Sequence, residues 1–140
     1  MVCFCVSCYR IVGWMGSQGY NRMNDNYPTD EWIKDIFLDW FDPCELSKGE
    51  LREFDGLGSS WKHRTFVNPP YSNPIKWVQQ AIEENKKGKM IAMLLKHDSS
   101  TKWYRLLHEA GAKFLLVNSR LKHKTGNPAP FPSVIAILAR

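Results

Sequence analysis

Six consecutive apolar residues, Met90 to Leu95, constrain the fold more than any other stretch of this sequence. Successive side chains of a strand point to opposite faces of its sheet. An unbroken apolar run of this length is therefore typical of a strand that is covered on both faces. A strand of that kind requires a sheet with other elements packed above and below it.

The stretches around this run alternate between strand and helix patterns. In chain order, the sequence predicts a strand at 65–67, a helix from Pro74 to the Lys86-Lys87-Gly88 cap, the strand at 90–95, a helix at 99–109, and strands at 113–117 and 133–138. The buried face of the first of these helices is predicted to carry Ile75, Val78, Ala81 and Ile82. Strands that alternate with helices indicate an α/β fold with a mostly parallel sheet and helices on its faces. In such sheets ligands bind beyond the carboxyl ends of the strands.

The first part of the chain divides near residue 27. Residues 1–26 end in a passage rich in Gly, Asn and Ser, which predicts a flexible leader ahead of a folded domain at 27–140. Thr29 or Asp30 can cap a first helix whose apolar positions, Trp32, Ile33, Ile36 and Phe37, follow helical spacing. A short extended piece at 40–42 then ends at Pro43, and residues 51–54 predict a brief strand.

Composition narrows the function classes. Nineteen Lys and Arg against fourteen Asp and Glu give a net charge of +5, which favours a polyanionic partner such as nucleic acid. No stretch reaches the ~20 apolar residues of a membrane span, so no membrane association is predicted. Cys3, Cys5 and Cys8 lie too close together for a disulfide framework and lack a second Cys/His pair at ligand spacing. We therefore expect a reducing cytoplasm and no metal site.

The motif Asn68-Pro69-Pro70-Tyr71 lies between a predicted strand and a predicted helix, where a catalytic loop belongs. The Asn68 side-chain carbonyl and the Pro69 backbone carbonyl can each accept a hydrogen bond from an amine. Two acceptors draw a conjugated amine toward tetrahedral geometry and free its lone pair to attack a methyl sulfonium. Proline fixes the backbone that presents the carbonyl, and Tyr71 can stack on a base swung out of a duplex.

Taken by itself, this motif leaves several interpretations open. It could be a Pro-Pro turn with a surface tyrosine, or it could act on a cytosine amino group or a protein glutamine, which are also planar amines. The absence of a Gly-x-Gly-x-x-Gly or P-loop sequence argues against nicotinamide and nucleoside-triphosphate enzymes.

The order of further motifs resembles one family, the phage-type DNA N-6-adenine methyltransferases, also called the phage Dam family. The resemblance covers residues 27–138. It rests on Tyr27-Pro28-Thr29, Phe41-Asp42-Pro43-Cys44, Asp55-Gly56-Leu57 followed by Trp61, Phe66-Val67-Asn68-Pro69-Pro70-Tyr71-Ser72, Ile75-Lys76-Trp77-Val78, Ser100-Thr101-Lys102-Trp103, Arg120-Leu121-Lys122 and Asn127-Pro128-Ala129-Pro130-Phe131-Pro132-Ser133.

This resemblance implies an abbreviated Rossmann-like fold that binds S-adenosylmethionine and methylates the N6 amino group of adenine in DNA. Its catalytic residues would be Asn68, Pro69, Pro70 and Tyr71. The cofactor would contact Tyr27, Pro28, Thr29, Asp42, Pro43, Cys44, Asp55 and Asn68, and the DNA would contact Tyr71, Ser72, Phe131, Lys122 and Arg120. The resemblance implies no obligate protein partner, and it places the chain in a prokaryotic host cell, where a phage or prophage gene could encode it.

Two features add to the expectations for the site. Polar and mostly basic side chains cluster in the second half of the chain, and several of them fall near the predicted catalytic edge. They could contact phosphates, or they could form a solvated basic face. The cluster comprises Lys96, His97, Asp98, Lys102, Arg105, Arg120, Lys122, His123 and Lys124. His97-Asp98 is interpreted as a pocket wall. Only residues 45–54 separate the Asp42 motif from Asp55, so an alternative is a binding module that kept the scaffold and lost its cofactor pocket.

Overall fold

The computed structural model describes residues 29–44, 56–122 and 128–139. These residues form helices α1 (Glu31–Ile36), α2 (Pro74–Lys86) and α3 (Lys102–Glu109), and strands β1 (Arg64–Val67), β2 (Met90–Lys96), β3 (Lys113–Leu116) and β4 (Ser133–Leu138). The predicted leader at 1–26, the cysteine cluster within it and the predicted strand at 51–54 lie outside the described residues. Over the described ranges, none of the helices is long and apolar enough to cross a membrane.

The predicted elements within these ranges are confirmed, with small shifts at their ends. Helix α3 begins at Lys102 rather than at residue 99, because Asp98 to Ser100 form a turn and Thr101 is the N-cap, whose side chain accepts a hydrogen bond from the Tyr104 N–H. The short piece at 40–42 appears as a single parallel bridge between Phe41 and Thr65.

The prediction of a mostly parallel sheet is wrong for the described strands. Their order is β1-β2-β4-β3, and only β1 and β2 pair in parallel, whereas β4 is antiparallel to both β2 and β3. The reason is the connection between β3 and β4. Strand β4 begins at the end of the sheet where β3 ends, since the Val117 N–H donates to the Ser133 carbonyl, and a parallel pair would need the chain to cross back to the other end. Strands β1, β2 and β3 consequently run in one direction and β4 runs against them.

Strand β2 supplies both faces of the core, as its apolar run predicts. Ile91, Met93 and Leu95 pack into one cluster, whereas Ala92 and Leu94 pack into the other, and all five are buried. This division follows from the alternation of side chains along a strand. The sheet therefore has an apolar layer on each face.

Helices α2 and α3 cover the first face. Trp77, Val78 and Ala81 of α2 and Trp103 and Leu107 of α3 are buried against it. Burying a side chain of the size of valine or leucine contributes roughly 1.5–3 kcal/mol. The spacing of these residues places them on one stripe of each helix, so the helices are held by that stripe.

Helix α1 and the segment before β4 cover the second face. Ile33 is fully buried with Leu121 and Ala129, whereas Trp32 and Ile36 are 45% and 58% exposed. The helical spacing of the apolar residues in α1 therefore predicts the helix correctly, but fewer of these residues are buried than the spacing suggests. A six-residue helix can turn only one narrow side toward the sheet.

Candidate active site

The ends of four strands bring the predicted site residues to one edge of the sheet. Asn68 follows β1, His97 follows β2, and Pro132 precedes the reversed strand β4. The His97 N–H donates to the Pro132 carbonyl at 2.9 Å, and the Val117 N–H after β3 donates to the Ser133 carbonyl at 3.3 Å. This edge carries the carboxyl ends of the three co-directional strands, where α/β folds bind their ligands.

The Asn68-Pro69-Pro70-Tyr71 motif forms a turn that ends β1 and leads into α2. Neither proline can donate to a ladder, so the strand stops at Val67. The Asn73 N–H donates to the Pro70 carbonyl at 3.3 Å, and α2 begins at Pro74. Pro69 is fully buried, which fixes the backbone of the turn against the core.

The Asn68 side chain is held by a residue from the beginning of the domain. Its Nδ2 donates a hydrogen bond to Thr29 Oγ1 at 2.9 Å, and its Oδ1 is shielded from solvent. The two residues are 39 positions apart in sequence. The contact places Thr29, which the resemblance assigned to the cofactor, beside the residue assigned to catalysis.

Tyr71 contacts Phe131, so the structure brings together the two aromatics predicted to bind the base. Their rings meet edge to face with centroids 4.9 Å apart, and both side chains are half-buried. Lys96 Nζ lies 5.8 Å from the Phe131 ring centroid, within the range of a cation–π contact. Ser72, the residue after Tyr71, is exposed at the same edge.

Arg120 and Lys122 belong to a segment that folds over α1. Arg120 Nη1 donates to the Ala129 carbonyl at 3.2 Å, and the Lys122 N–H donates to Asp30 Oδ2 at 3.3 Å. Lys122 also forms an isolated bridge with Pro128. Both basic side chains are exposed, and the hydrogen bond to Ala129 shows that Arg120 also anchors the segment before Phe131.

The Asp42-Pro43-Cys44 motif follows a residue, Phe41, that pairs with β1 just before the Asn68-Pro69-Pro70-Tyr71 turn. Phe41 pairs with β1, since its N–H donates to the Arg64 carbonyl at 3.0 Å and its carbonyl accepts from the Phe66 N–H at 2.9 Å. Asp42 Oδ1 accepts a hydrogen bond from the Cys44 N–H at 2.7 Å, so this carboxylate shapes the turn after Phe41. A carboxylate has more than one acceptor position, and the turn is therefore compatible with an ion pair to an ammonium group.

Gly56 lies directly against Pro43. A Cβ atom added at Gly56 would come within 2.4 Å of the Pro43 carbonyl oxygen and 2.8 Å of Trp77 Cη2. Real Cβ atoms do not make contacts this short, so only glycine allows this approach. The two segments that the resemblance assigns to the cofactor thus meet at Gly56 and Pro43.

Trp61, which belongs to the predicted Asp55 motif, holds the Gly56 segment in place together with Gln80 and Glu84, two side chains of α2 that the sequence did not single out. Trp61 Nε1 donates to the Gly56 carbonyl at 2.7 Å, and Gln80 Nε2 donates to the Ser59 carbonyl at 2.8 Å. The Trp61 N–H donates to Glu84 Oε2 at 3.0 Å. Gln80 and Glu84 stand four residues apart on α2, and Glu84 continues the stripe of Trp77 and Ala81, a helical spacing that could have revealed it.

Glu84 is a carboxylate buried among cations. Its side chain is 3% exposed, Lys87 Nζ lies 2.6 Å from Oε1, and Lys89 Nζ contacts Oε2. Burial by itself raises the pKa of Glu84, but hydrogen bonds from Lys87, Lys89 and the Trp61 N–H together outweigh burial and lower the pKa below its ordinary value of 4.5. The ionised form is therefore the form that the fold stabilises.

His97 and Asp98 lie where β2 leads into α3. The His97 ring stacks at 6.1 Å on Tyr104, whose ring in turn stacks at 4.4 Å on Phe114. Asp98 Oδ1 accepts hydrogen bonds from Ser100 Oγ and the Ser100 N–H. The first of these is the main cause that lowers the pKa of Asp98. Asp98 therefore shapes the turn before α3.

Some predicted site residues lie outside the described residues. They are Tyr27, Pro28 and Asp55, together with His123 and Lys124 of the basic group. Within the described ranges, no group of three or more His, Cys, Asp or Glu side chains could hold a metal ion.

Comparison with known proteins assigns the chain to a family. The family model described as DNA N-6-adenine-methyltransferase (Dam) matches residues 49–129, more than half of the chain. This range includes the Asn68 motif but not Asp42 or Phe131. No solved structure matches the chain.

Two curated relatives are similar over part of the chain, and each is named DNA N-6-adenine-methyltransferase. The relative from Haemophilus phage HP1 is 38% identical over 72 residues, which cover 49% of this chain and 42% of the relative. The relative from Escherichia phage T1 is 37% identical over 60 residues, which cover 43% of this chain and 25% of the relative. The chain thus spans less than half the length of either relative.

Proposed function

Because the chain belongs to the DNA N-6-adenine-methyltransferase (Dam) family, we propose that it transfers a methyl group from S-adenosylmethionine to the N6 amino group of adenine in DNA. The observation that carries this proposal is the position of Asn68-Pro69-Pro70-Tyr71 at the carboxyl end of β1, with Tyr71 in contact with Phe131. Both phage relatives carry the name DNA N-6-adenine-methyltransferase, which supports the proposal.

We further propose that the mixed sheet is the core of a Rossmann-like methyltransferase domain spanning residues 27–140, with residues 1–26 as a leader. The common direction of β1, β2 and β3 and the parallel bridge at Phe41 support this proposal. Those four chain segments all end at the edge that carries Asn68. A ligand at this edge would lie between the Asp42 turn and the catalytic turn.

The residues present fit S-adenosylmethionine. When bound, it supplies an electrophilic methyl group on a sulfonium. In this proposal Asp42, on the turn after Phe41, pairs with the ammonium group, and the close approach of Gly56 to Pro43 shapes the floor of the pocket. Cys44 fixes the Asp42 turn through its N–H, and Thr29 reaches the same region through Asn68.

The catalytic turn is proposed to act on the adenine amine through two acceptors. Asn68 Oδ1 and the Pro69 carbonyl would each accept one amine hydrogen bond and so free the nitrogen lone pair. Tyr71 and Phe131 would hold the base after it leaves the duplex. The C–N bond would form as the S–C bond breaks, and the extra proton on nitrogen would leave to water, so no strong base is required.

DNA is the proposed macromolecular substrate. The basic side chains at the end of β2, in α3 and after β3 are exposed. They are Lys96, Lys102, Arg105, Arg120 and Lys122. Cationic side chains around a base pocket position the phosphate backbone without specifying sequence. We propose no obligate protein partner, and a bacterial host cytoplasm as the compartment, in keeping with the phage sources of both relatives.

A methyl-transfer assay tests this function. The chain is incubated with S-adenosylmethionine that carries a labelled methyl group and with adenine-containing duplexes, and the DNA is then digested and its nucleosides analysed by mass. We expect N6-methyladenine from the wild type and at least a 100-fold loss with Asn68→Ala. Asn73→Ala is the matched control, because this exposed asparagine makes no side-chain cap hydrogen bond and should leave activity unchanged.

The same assay separates the alternatives. N4-methylcytosine in the digest, or label in protein glutamine, would keep the reaction and change its acceptor. Calorimetric titration with S-adenosylmethionine tests the third alternative, a non-catalytic DNA-binding module. Such a module would bind DNA but show no binding of S-adenosylmethionine. Either result would contradict methylation of adenine in DNA.

A further inference from the structure

Residues 56–61 belong to no helix or strand of the described fold, and side chains hold their backbone in place. The Gly56 carbonyl accepts hydrogen bonds from Trp61 Nε1 at 2.7 Å and from Gln80 Nε2 at 3.4 Å. Gln80 Nε2 also donates to the Ser59 carbonyl at 2.8 Å. Since buried backbone groups outside a strand ladder need other partners, the position of this segment depends on α2, which carries Gln80.

The Gln80 side chain fits this place in one orientation of its amide. Both of its partners are backbone carbonyl oxygens, which accept hydrogen bonds and cannot donate them, so only the nitrogen end of the amide suits them. Trp61 and Glu84, which also hold the segment, are buried, whereas Gln80 is half-buried. Gln80 can therefore be replaced without removing a core ring or a buried charge.

Gly56 is the point at which this segment meets the proposed cofactor pocket. A Cβ atom at Gly56 would lie 2.4 Å from the Pro43 carbonyl oxygen and 2.8 Å from Trp77 Cη2, so the glycine is packed closely against both residues. A shift of the Gly56 backbone would change its contact with Pro43. The hydrogen bonds from Gln80 and Trp61 to the Gly56 carbonyl oppose such a shift.

We propose that Gln80 is a positioning residue for the binding of S-adenosylmethionine, because it holds Gly56 against Pro43. The proposal rests on the function proposed above, which places that contact in the cofactor pocket. It concerns affinity for the cofactor rather than turnover. Gln80 bonds to the Gly56 segment, whereas the Asn68 side chain of the catalytic turn is held by Thr29, on another part of the chain.

Calorimetric titration of Gln80→Leu with S-adenosylmethionine tests this role and requires neither DNA nor turnover. Leucine removes both hydrogen bonds and keeps a good helix former in α2. We expect the Kd to rise about 3- to 10-fold, which is the effect of about one net hydrogen bond on an equilibrium. In steady-state methylation the KM for S-adenosylmethionine should rise by the same factor, while kcat stays within about two-fold of the wild type.

Gln79→Leu is the matched control. Gln79 is the preceding residue of the same helix and is exposed, so the same substitution there should leave the Kd unchanged. Gln80→Glu keeps the shape of the side chain but offers only acceptors to two carbonyls, so its Kd should rise at least as far as that of Gln80→Leu. Gln79→Glu makes the same charge change and should have no effect. Equal Kd changes at the two positions, or an unchanged Kd in both Gln80 variants, would overturn the proposal.

Amide hydrogen exchange, followed by mass spectrometry, separates a local effect from a general loss of stability. In Gln80→Leu the exchange of residues 56–61 should become faster, and the exchange of β2 should match the wild type, because a core strand exchanges only through larger openings of the fold. Equal acceleration in both segments would mean that the substitution acts through stability and would overturn the proposal. Faster exchange in residues 56–61 with an unchanged Kd would overturn it as well.

The same measurements separate this proposal from the proposed function. A wild type that binds S-adenosylmethionine more tightly than Gln80→Leu, but does not methylate adenine in DNA, would contradict the proposed function alone. A wild type that methylates adenine while Gln80→Leu keeps the wild-type Kd would contradict the role of Gln80 alone. A wild type that does not bind S-adenosylmethionine would contradict both.

Discussion

The ring of Tyr71, on the turn after β1, meets the ring of Phe131, on the segment before β4, with centroids 4.9 Å apart at an angle of 60°. Two chain segments that are distant in sequence thus build one aromatic wall. A flat base held between two rings needs about 7 Å between them, twice a ring contact of about 3.5 Å. An adenine that enters between these rings must therefore part them.

We expect Phe131→Ala to weaken methylation of duplex DNA. Stacking contributes about 1–3 kcal/mol per base, so kcat/KM for the duplex should fall about 10- to 100-fold. Tyr71→Ala should fall at least as far, because Tyr71 belongs to the catalytic turn. Steady-state methylation measures both variants.

Phe114→Leu is the control for this experiment. Phe114 stacks on Tyr104 and is also half-buried, and it pairs with Ala136 in the middle of β4, two residues before the end of β3. Its substitution should reduce stability and spare kcat/KM. Unchanged duplex methylation in Phe131→Ala would remove Phe131 from the base pocket.

Gly56→Ala should disturb the contact between Gly56 and Pro43, which the proposed function places in the cofactor pocket. The new Cβ would meet a backbone oxygen at 2.4 Å, and backbone cannot move aside as a flexible side chain can. Overpacking of this kind costs about 1–3 kcal/mol. The free energy of unfolding in urea should fall by that amount, and the KM for S-adenosylmethionine should rise several-fold as Pro43 shifts.

Gly111→Ala separates crowding from backbone strain. Gly111 has φ +82 with open space around its Cβ position, so alanine there meets only the cost of a left-handed backbone, about 1–2 kcal/mol. Its KM for S-adenosylmethionine should match the wild type. If Gly56→Ala left that KM unchanged, the Gly56–Pro43 contact would have no part in the cofactor pocket.

Glu84→Gln should destabilise the protein strongly at neutral pH. The change removes the charge that Lys87, whose side chain is 59% exposed, and Lys89 share, and loss of hydrogen bonds to a charged group costs about 1.5–3 kcal/mol. Glu83→Gln is the matched control, because Glu83 is the neighbouring residue, pairs with Lys86 on the surface and is 63% exposed. Loss of a surface pair should change the free energy of unfolding in urea by less than about 1 kcal/mol.

The effect of Glu84 should depend on pH in a defined direction. Because the fold lowers the pKa of Glu84, its contribution is fully present above the ordinary value of 4.5 and is lost as the pH falls through the lowered pKa. The difference in unfolding free energy between the wild type and Glu84→Gln should therefore shrink below pH 4.5. A difference that stays constant from pH 6 to pH 3 would contradict the assignment of the stabilisation to the ionised carboxylate.

Lys96→Gln should reduce the salt dependence of DNA binding. Lys96 is exposed at the end of β2 and lies over Phe131, where it can reach a phosphate beside the flipped base. Loss of one phosphate contact lowers the slope of log K against log salt by about 1. Lys113→Gln, at the start of β3 and away from the catalytic edge, should leave the slope unchanged, and equal slopes in both variants would place Lys96 off the DNA path.

The sequence by itself determined the elements and the position of the Asn68-Pro69-Pro70-Tyr71 turn. The apolar run in β2 predicted a strand covered on both faces, because alternation along a strand leaves no polar side. The paired prolines after Asn68 predicted the end of β1 and the beginning of α2, because proline cannot donate to a ladder and suits the first turn of a helix. These are local effects of backbone chemistry, so local sequence carries them.

Only the tertiary structure decided which distant residues meet. The reversal of β4 depends on the end of the sheet at which the chain re-enters after β3, which no local period encodes. The contacts of Asn68 with Thr29, of Tyr71 with Phe131 and of Pro43 with Gly56 join segments far apart in the chain. Burial of Glu84 beside Lys89 likewise depends on packing, since a carboxylate on a helix is usually solvated until its neighbours enclose it.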